Sequence, residues 1–167
     1  MPLFITAEDF LMPRMIHAFA FSTFSAFAAF SASIPTHAAD TETTPVANQS
    51  NAEFTAGKKA IAAKDWTTAS AAFEKVVQRD NRNADAYNLL GYAYRWQGKM
   101  KDAFAAYGKA LALDPTHRGA HEYIGVAYLK AKQPAKAQEH LAKLETICGK
   151  NCEEYKDLAK EIAAYKP

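Results

Sequence analysis

The sequence predicts an all-α chain built as a solenoid of stacked helix hairpins, and three observations carry that prediction. Displacing the chain on itself by 34 residues superposes Gly57, Gly91 and Gly125, then Ala69, Ala103 and Ala137, then Phe73, Tyr107 and Leu141. A period of this size marks a stack of supersecondary units, each too small to bury its own apolar face. Within a unit, apolar residues recur at i, i+3, i+4 and i+7, which is one face of a helix. In the middle unit Gln97-Gly98-Lys99 separates two such helices, and Asp114-Pro115 ends the second, because Pro cannot continue a helix.

Composition narrows the class before any element is placed. The chain has 20 basic against 18 acidic side chains, a formal charge of +2, far from the basic profile that phosphate-bound proteins need. Seven Gly and seven Pro in 167 residues exclude collagen-like and low-complexity chains.

Residues 1–39 read as a secretory signal peptide. Met15 to Ala39 carries no charge, Arg14 precedes it, and Thr36-His37-Ala38-Ala39 offers a small-residue exit before Asp40. Glu8 and Asp9 do not suit a basic leader, so translation is expected to begin at Met12 or Met15. An uncleaved membrane anchor is the alternative, since the apolar run approaches the minimum spanning length; the interspersed Ser and Thr and Pro35 favour cleavage. Residues 40–49 are polar and aperiodic and read as a flexible linker.

The units then run 50–83, 84–117 and 118–151. In the middle one, Tyr87, Leu90, Gly91 and Tyr94 make the first stripe and Ala103, Tyr107, Ala110 and Leu111 the second. Gly91 and Ala103 are small where the helices approach, and Tyr94 and Tyr107 fill the space beside them. Residues 152–167 repeat only the first-helix pattern, as Tyr155, Leu158, Ala159 and Ile162. Their opposite face, Glu153, Lys156, Asp157, Lys160 and Glu161, is charged, as a terminal capping helix requires.

The pattern Tyr87-x2-Leu90-Gly91-x2-Tyr94, Ala103-x3-Tyr107-x2-Ala110-x4-Pro115 resembles the tetratricopeptide repeat (TPR) family over residues 50–165. The resemblance implies a right-handed α-solenoid of three helix-turn-helix repeats plus the C-terminal capping helix, with a concave groove that binds peptide segments. Unit one departs in Glu53, where a large apolar residue is usual, and in Asn81, where Pro would stand; unit three has His121 for an aromatic residue and Gly149 for Pro. In such a fold the first helices line the groove, which makes Phe54, Lys58, Asn88, Tyr92, Arg95, Trp96, Glu122 and Lys130 the candidate peptide-binding residues. Asn88 and Arg95 are expected to be exposed; Trp96, Val126 and Leu129 have packing between first helices as their alternative. Tyr, Trp and Arg are also the residue types that dominate binding hot spots. A carboxylate-clamp variant of the groove is poorly matched: Lys58 suits one position, but Leu89 and Tyr123 stand where Asn and Arg are needed.

Other chemistry is sparse. Cys148 and Cys152 flank the junction before the capping helix, and an exported chain meets conditions in which so close a pair joins. Such a five-residue loop is worth roughly 2 kcal/mol by chain entropy. A catalytic dithiol usually has two intervening residues, and a metal pair would need further ligands, of which His140 alone is near. His117 and His121, four apart, read as a turn and a core residue before they read as a metal pair. Lys75, Lys109 and Lys143 read as a solvated ridge. No phosphate loop, nucleophile elbow or zinc-protease helix occurs in the sequence. The expectation is a periplasmic or secreted, non-enzymatic adaptor that needs no cofactor or metal. It takes another protein and not nucleic acid as its partner, and touches a membrane only if the leader is retained. A thiol-active protein working through Cys148 and Cys152 is the rival reading.

Overall fold

The computed structural model describes residues 46–166, and these form seven helices and no strand. The segment read as a signal peptide lies outside the described residues, as do residues 40–45. The helices are α1 (Val46–Ala62), α2 (Trp66–Arg79), α3 (Ala84–Trp96), α4 (Met100–Leu113), α5 (Arg118–Lys130), α6 (Pro134–Cys148) and α7 (Glu153–Ala164). Each odd-numbered helix up to α5 pairs with the one that follows, α3 lies beside α5, and α5 lies beside α7. The fold is an all-α solenoid. None of the described helices is long and apolar enough to cross a membrane.

One expectation needs correction here. Residues 46–49, read as the end of a linker, are the first turn of α1. Polar, aperiodic composition was a poor guide, because a first turn leaves its N–H groups without helical partners and needs no apolar face of its own.

The connections repeat as faithfully as the helices. Lys64, Gly98 and Lys132 stand 34 residues apart, and all three have positive φ, at 57°, 76° and 59°. One left-handed residue thus reverses the chain inside every unit, and only the middle unit uses the glycine best suited to it. Between units, Asp80 and Asp114 accept hydrogen bonds at Oδ1 from the backbone N–H two residues on, at 3.1 and 2.9 Å. Asn83 and His117 are equivalent N-caps, accepting from the N–H of Ala86 at 2.9 Å and of Ala120 at 3.2 Å.

Packing within a unit depends on the missing glycine side chain. A Cβ on Gly57 would sit 2.7 Å from the Phe73 ring, one on Gly91 2.7 Å from the Tyr107 ring, and one on Gly125 2.6 Å from Leu158. Phe73, Tyr107 and Leu158 are fully buried as a result. Unit three therefore differs from the others: its glycine receives a residue of α7 instead of one from its own second helix. Glu53, the charged intruder in α1, forms an ion pair with Arg79 of α2. Phe54 packs edge-on against Phe73, with ring centroids 5.5 Å apart.

His121 is buried in α5, and its Nε2 lies 3.0 Å from the Pro115 carbonyl. A carbonyl only accepts, so Nε2 carries the proton and Nδ1 accepts from His140 Nδ1 at 2.8 Å. Burial lowers both pKa values, with each ring's charge further opposed by Lys143, and His140 falls to about 4. The pair is a neutral bracket between α5 and α6. Its contribution is intact above the ordinary histidine range and is lost as pH falls through these lowered values. Lys75, Lys109 and Lys143 are all exposed.

α6 ends at Cys148, and Gly149 turns the chain with φ 74°. The Cα atoms of Cys148 and Cys152 lie 5.9 Å apart with their sulfur atoms within bonding reach, a separation that suits a bridge.

Two glycine substitutions should move stability in opposite directions. Gly91→Ala forces a methyl group into the Tyr107 ring and is expected to cost about 1–3 kcal/mol. Gly108 lies exposed in α4, where a Cβ would meet nothing within 4 Å; Gly108→Ala is expected to add ~0.5–1 kcal/mol. Urea unfolding of both variants measures the difference.

Candidate functional site

The helices α3, α5 and α7 present one face to a common cleft, and the repeat period decides which residues share it. Tyr92, Val126 and Lys160 are 34 residues apart, as are Trp96 and Lys130, and Tyr123 and Asp157. Together with Arg95, Glu122 and Glu161 they line a cleft of about 470 Å³ between α3, α5 and α7. Five of the eight expected groove residues are brought together there: Tyr92, Arg95, Trp96, Glu122 and Lys130.

The other three go elsewhere. Phe54 is half-buried in the core against Phe73, because its face of α1 turns toward α2. Lys58 is exposed but does not line the cleft. Asn88 is only 5% exposed: its amide is covered by the approach of α5, where a Cβ on Gly119 would lie 3.2 Å from Nδ2. Arg95 lines the cleft but is 7% exposed, so the expectation that Asn88 and Arg95 both stand in solvent is corrected for both. Stacking α5 on α3 closes over that face. Leu129 is likewise buried, whereas Trp96 is 46% exposed.

Aromatic rings form the wall around Arg95. Its guanidinium carbon stands 5.0 Å from the Tyr92 ring and 5.2 Å from the Trp96 ring, close enough for cation–π attraction. Tyr92 also packs on Tyr123 at 4.9 Å. Trp96 stacks on Trp66 at 5.2 Å with the planes 11° apart, and Lys130 Nζ lies 5.3 Å from the Trp96 ring. Gln97, the last residue of the α3 cap, fixes this stack by donating to the Trp66 carbonyl at 2.7 Å and to Ser70 Oγ at 2.9 Å.

The polar atoms are unevenly satisfied. Arg95 Nε, the Tyr107 hydroxyl and Asn88 Oδ1 are buried without a hydrogen-bond partner. Burial raises the Tyr107 pKa, with the Arg95 charge opposing it. Tyr123 is pushed up to about 12, first by burial and then by the charge of Glu122. Glu122 itself is raised to about 7, because burial disfavours its charge and Asp157 and Glu154 repel it, while Arg95 pulls the other way.

Trp66, Tyr123, Asp157, Lys160 and Glu161 were not among the groove residues that the sequence suggested. For the α7 residues a signal existed, since the 34-residue columns through Tyr92 and Tyr123 reach Lys160 and Asp157; it was masked by reading that face as a solvated cap. For Trp66 there was none, because it begins a second helix and shares no column with Trp96.

His117 and His121 do not converge. His117 Nε2 meets Asp85 at 3.0 Å while His121 meets His140. Among the described residues, Cys148, Cys152 and Glu154 place ligand atoms within 4.8 Å of one another. A bond between the two sulfurs would consume both thiolates, and Glu154 also faces Arg118 Nε at 3.5 Å.

Residues 84–117 match the family model described as Tetratricopeptide repeat. The middle unit is thus a tetratricopeptide repeat. The chain is 35% identical over 86 residues to human WD and tetratricopeptide repeats protein 1, a match covering 50% of this chain and 13% of that protein. The chain thus spans only a small part of that relative's length. Among solved structures it resembles the TPR2B-domain:pHsp70-complex of yeast Sti1, with TM-score 0.63 and 21% identity, over 71% of this chain and 99% of that one. It also resembles the first TPR of Spaghetti (RPAP3) bound to HSP90 peptide SRMEEVD, with TM-score 0.63 and 17% identity, over 70% of this chain and 91% of that one. At these identities the likeness is one of fold.

The raised Glu122 pKa sets a sign for stability. The folded state holds a proton that the unfolded chain gives up near 4.5, so the stability from neutral Glu122 is full at acid pH and is lost as pH rises through about 7. Glu122→Gln is therefore expected to match the wild type at pH 4.5 and to exceed it by ~1 kcal/mol at pH 8, a figure discounted for partial solvent access. Paired urea titrations at the two pH values test this.

Proposed function

We propose that this protein is a non-enzymatic interaction module that holds a segment of another protein in the cleft between α3, α5 and α7. The observation that carries the reading is the exposed Trp96 side chain, the one large apolar residue standing out in solvent among the described residues. It is set in a wall with Trp66, Tyr92 and Tyr123 beside a nearly buried Arg95. Aromatic and Arg side chains in a desolvated pocket are the usual anchors of protein recognition. Both structural neighbours described above are complexes, one with a peptide of HSP90, which supports an occupant of the same kind here.

We further propose that the chain is exported and works as a periplasmic or secreted adaptor. The uncharged Met15–Ala39 segment with its Ala-Ala exit supports export. In an oxidising compartment Cys148 and Cys152, already within bonding reach, form a disulfide that ties α7 to α6. That bond is structural in this reading: it holds the helix that supplies Asp157, Lys160 and Glu161 to the cleft.

Two measurements test these proposals. Trp96→Ala combined with Lys130→Ala removes two exposed groups and should abolish capture of partners from the native compartment while leaving the helical circular dichroism unchanged; undiminished capture overturns the groove reading. Intact-mass analysis of the protein isolated from its host should give an N-terminus near Asp40, and a retained leader overturns cleavage.

A further inference from the structure

We infer that His121 and His140 together bind a singly charged, closed-shell metal ion of the Cu(I) type, held in line between their Nδ1 atoms. The inference is independent of the groove reading, since neither residue lines the cleft. The repeat supplies its own control. The 34-residue columns through His121 and His140 hold Glu53 and Ala72 in the first unit, and Tyr87 and Ala106 in the second. Alanine has no polar side chain, so those two hairpins close without any hydrogen bond between these columns. Only unit three puts a ring nitrogen at both positions, and the two nitrogens meet at 2.8 Å. Joining the helices of a unit does not require such a pair.

The rings face one another as ligands do. Their centroids are 5.1 Å apart, little more than the nitrogen separation plus the two ring radii, so the Nδ1 atoms point at each other head-on. His121 donates its Nε2–H to the Pro115 carbonyl at 3.0 Å. A backbone carbonyl on the far nitrogen is a usual outer partner of a metal-bound imidazole, because it fixes the tautomer that leaves the near nitrogen bare. His121 is buried, whereas His140 is half-buried and gives a route in from solvent. In the metal-free protein the Nδ1–H of His140 fills the gap. On binding, that proton moves to Nε2 of the same ring, both Nδ1 lone pairs go to the metal, and the protein loses no proton. Two bonds of roughly 2 Å need about 4 Å between the nitrogens, so the rings part by about 1 Å from their present 2.8 Å. The His140 ring lies 22° from the plane of Tyr128, with centroids 5.6 Å apart, and slides along that face while keeping its aim.

Ligand number and charge select the ion. Among the described residues, Cys148, Cys152 and Glu154 are the three metal-ligating side chains that converge, and neither histidine belongs to that group. Structural Zn²⁺ takes four ligands, and this pair offers two. A closed-shell monovalent ion is satisfied by two collinear nitrogens, and imidazole is a donor that suits copper. Lys143 faces both rings and opposes added positive charge, while Asp114 acts in the other sense on His121. The repulsion from Lys143 weighs more heavily on a doubly charged ion than on a singly charged one.

The whole chain is titrated with its Cys148–Cys152 pair oxidised, which removes thiolates as competitors. Cu(I) is added without oxygen against bicinchoninate, and Ag(I) is followed by isothermal calorimetry. His140→Ala is the matched control, since Ala is what the middle unit carries at that position. One equivalent is expected to bind the wild type. The affinity should fall about a hundredfold or more in the variant, because even loss of an outer-shell partner costs about 10–100-fold. Nitrogen NMR spectra of the histidine rings should show both Nδ1 signals moving together while the His121 Nε2–H is retained. Equal affinity in wild type and His140→Ala, Nδ1 signals that do not move, or a preference for Zn²⁺ over both monovalent ions overturns the inference. Should His140→Ala fail to fold, the ring spectra of the wild-type protein decide the matter without it.

Discussion

The contact between a glycine of one helix and a large side chain of its neighbour governs this solenoid. Phe73 against Gly57, Tyr107 against Gly91 and Leu158 against Gly125 each occupy the volume that a Cβ would need. Close approach removes these side chains from water completely, and apolar burial of this kind is the dominant favourable term in folding. The first two contacts join the helices of one unit, and the third sets α7 against α5 at the edge of the cleft. The switch of partner in the last unit, from the second helix to α7, is what seats the terminal helix as a wall of the cleft.

Once α5 is stacked on α3, the polar residues between them have nowhere to go. Asn88 and Arg95 are trapped at the seam, with Asn88 Oδ1, Arg95 Nε and the underlying Tyr107 hydroxyl unpartnered. Native interiors tolerate few such atoms. The His121–His140 bracket shows that this chain can satisfy a buried histidine completely, with both tautomers specified by the Pro115 carbonyl. The incomplete seam at Arg95 stands out against it, and it lies where the aromatic wall opens to solvent. Stability and recognition thus draw on the same stacking geometry.

Turn chemistry shows how closely the units repeat beyond their helices. The left-handed residue at 64, 98 and 132, the Asp at 80 and 114, and the N-cap at 83 and 117 fall in step with the core columns. Only the amino acid varies: Lys or Gly in the first case, Asn or His in the last. A one-residue slip would put each of these side chains on a backbone position that cannot use it.

The helix count, the hairpin pairing, the breaks and the close approach at Gly91 were legible in the linear chain, because each follows from local periodicity and from residues that only one backbone conformation suits; the partner of Gly125 was not, since the column through Phe73 and Tyr107 leads to Leu141 and not to Leu158. Tyr92, Trp96, Glu122 and Lys130 were legible too, as residues on the opposite side of a helix from its apolar stripe. Solvent access was not. Whether Arg95 stands in water or under an aromatic collar, whether Phe54 faces a groove or Phe73, and whether the charged face of α7 is a plain cap or a wall depend on the rotation of one helix against the next. That rotation comes from side chains distant in sequence packing together, and no window of residues contains it. Trp66 meets Trp96 for the same reason: the beginning of one helix and the end of another become neighbours only after the units have stacked.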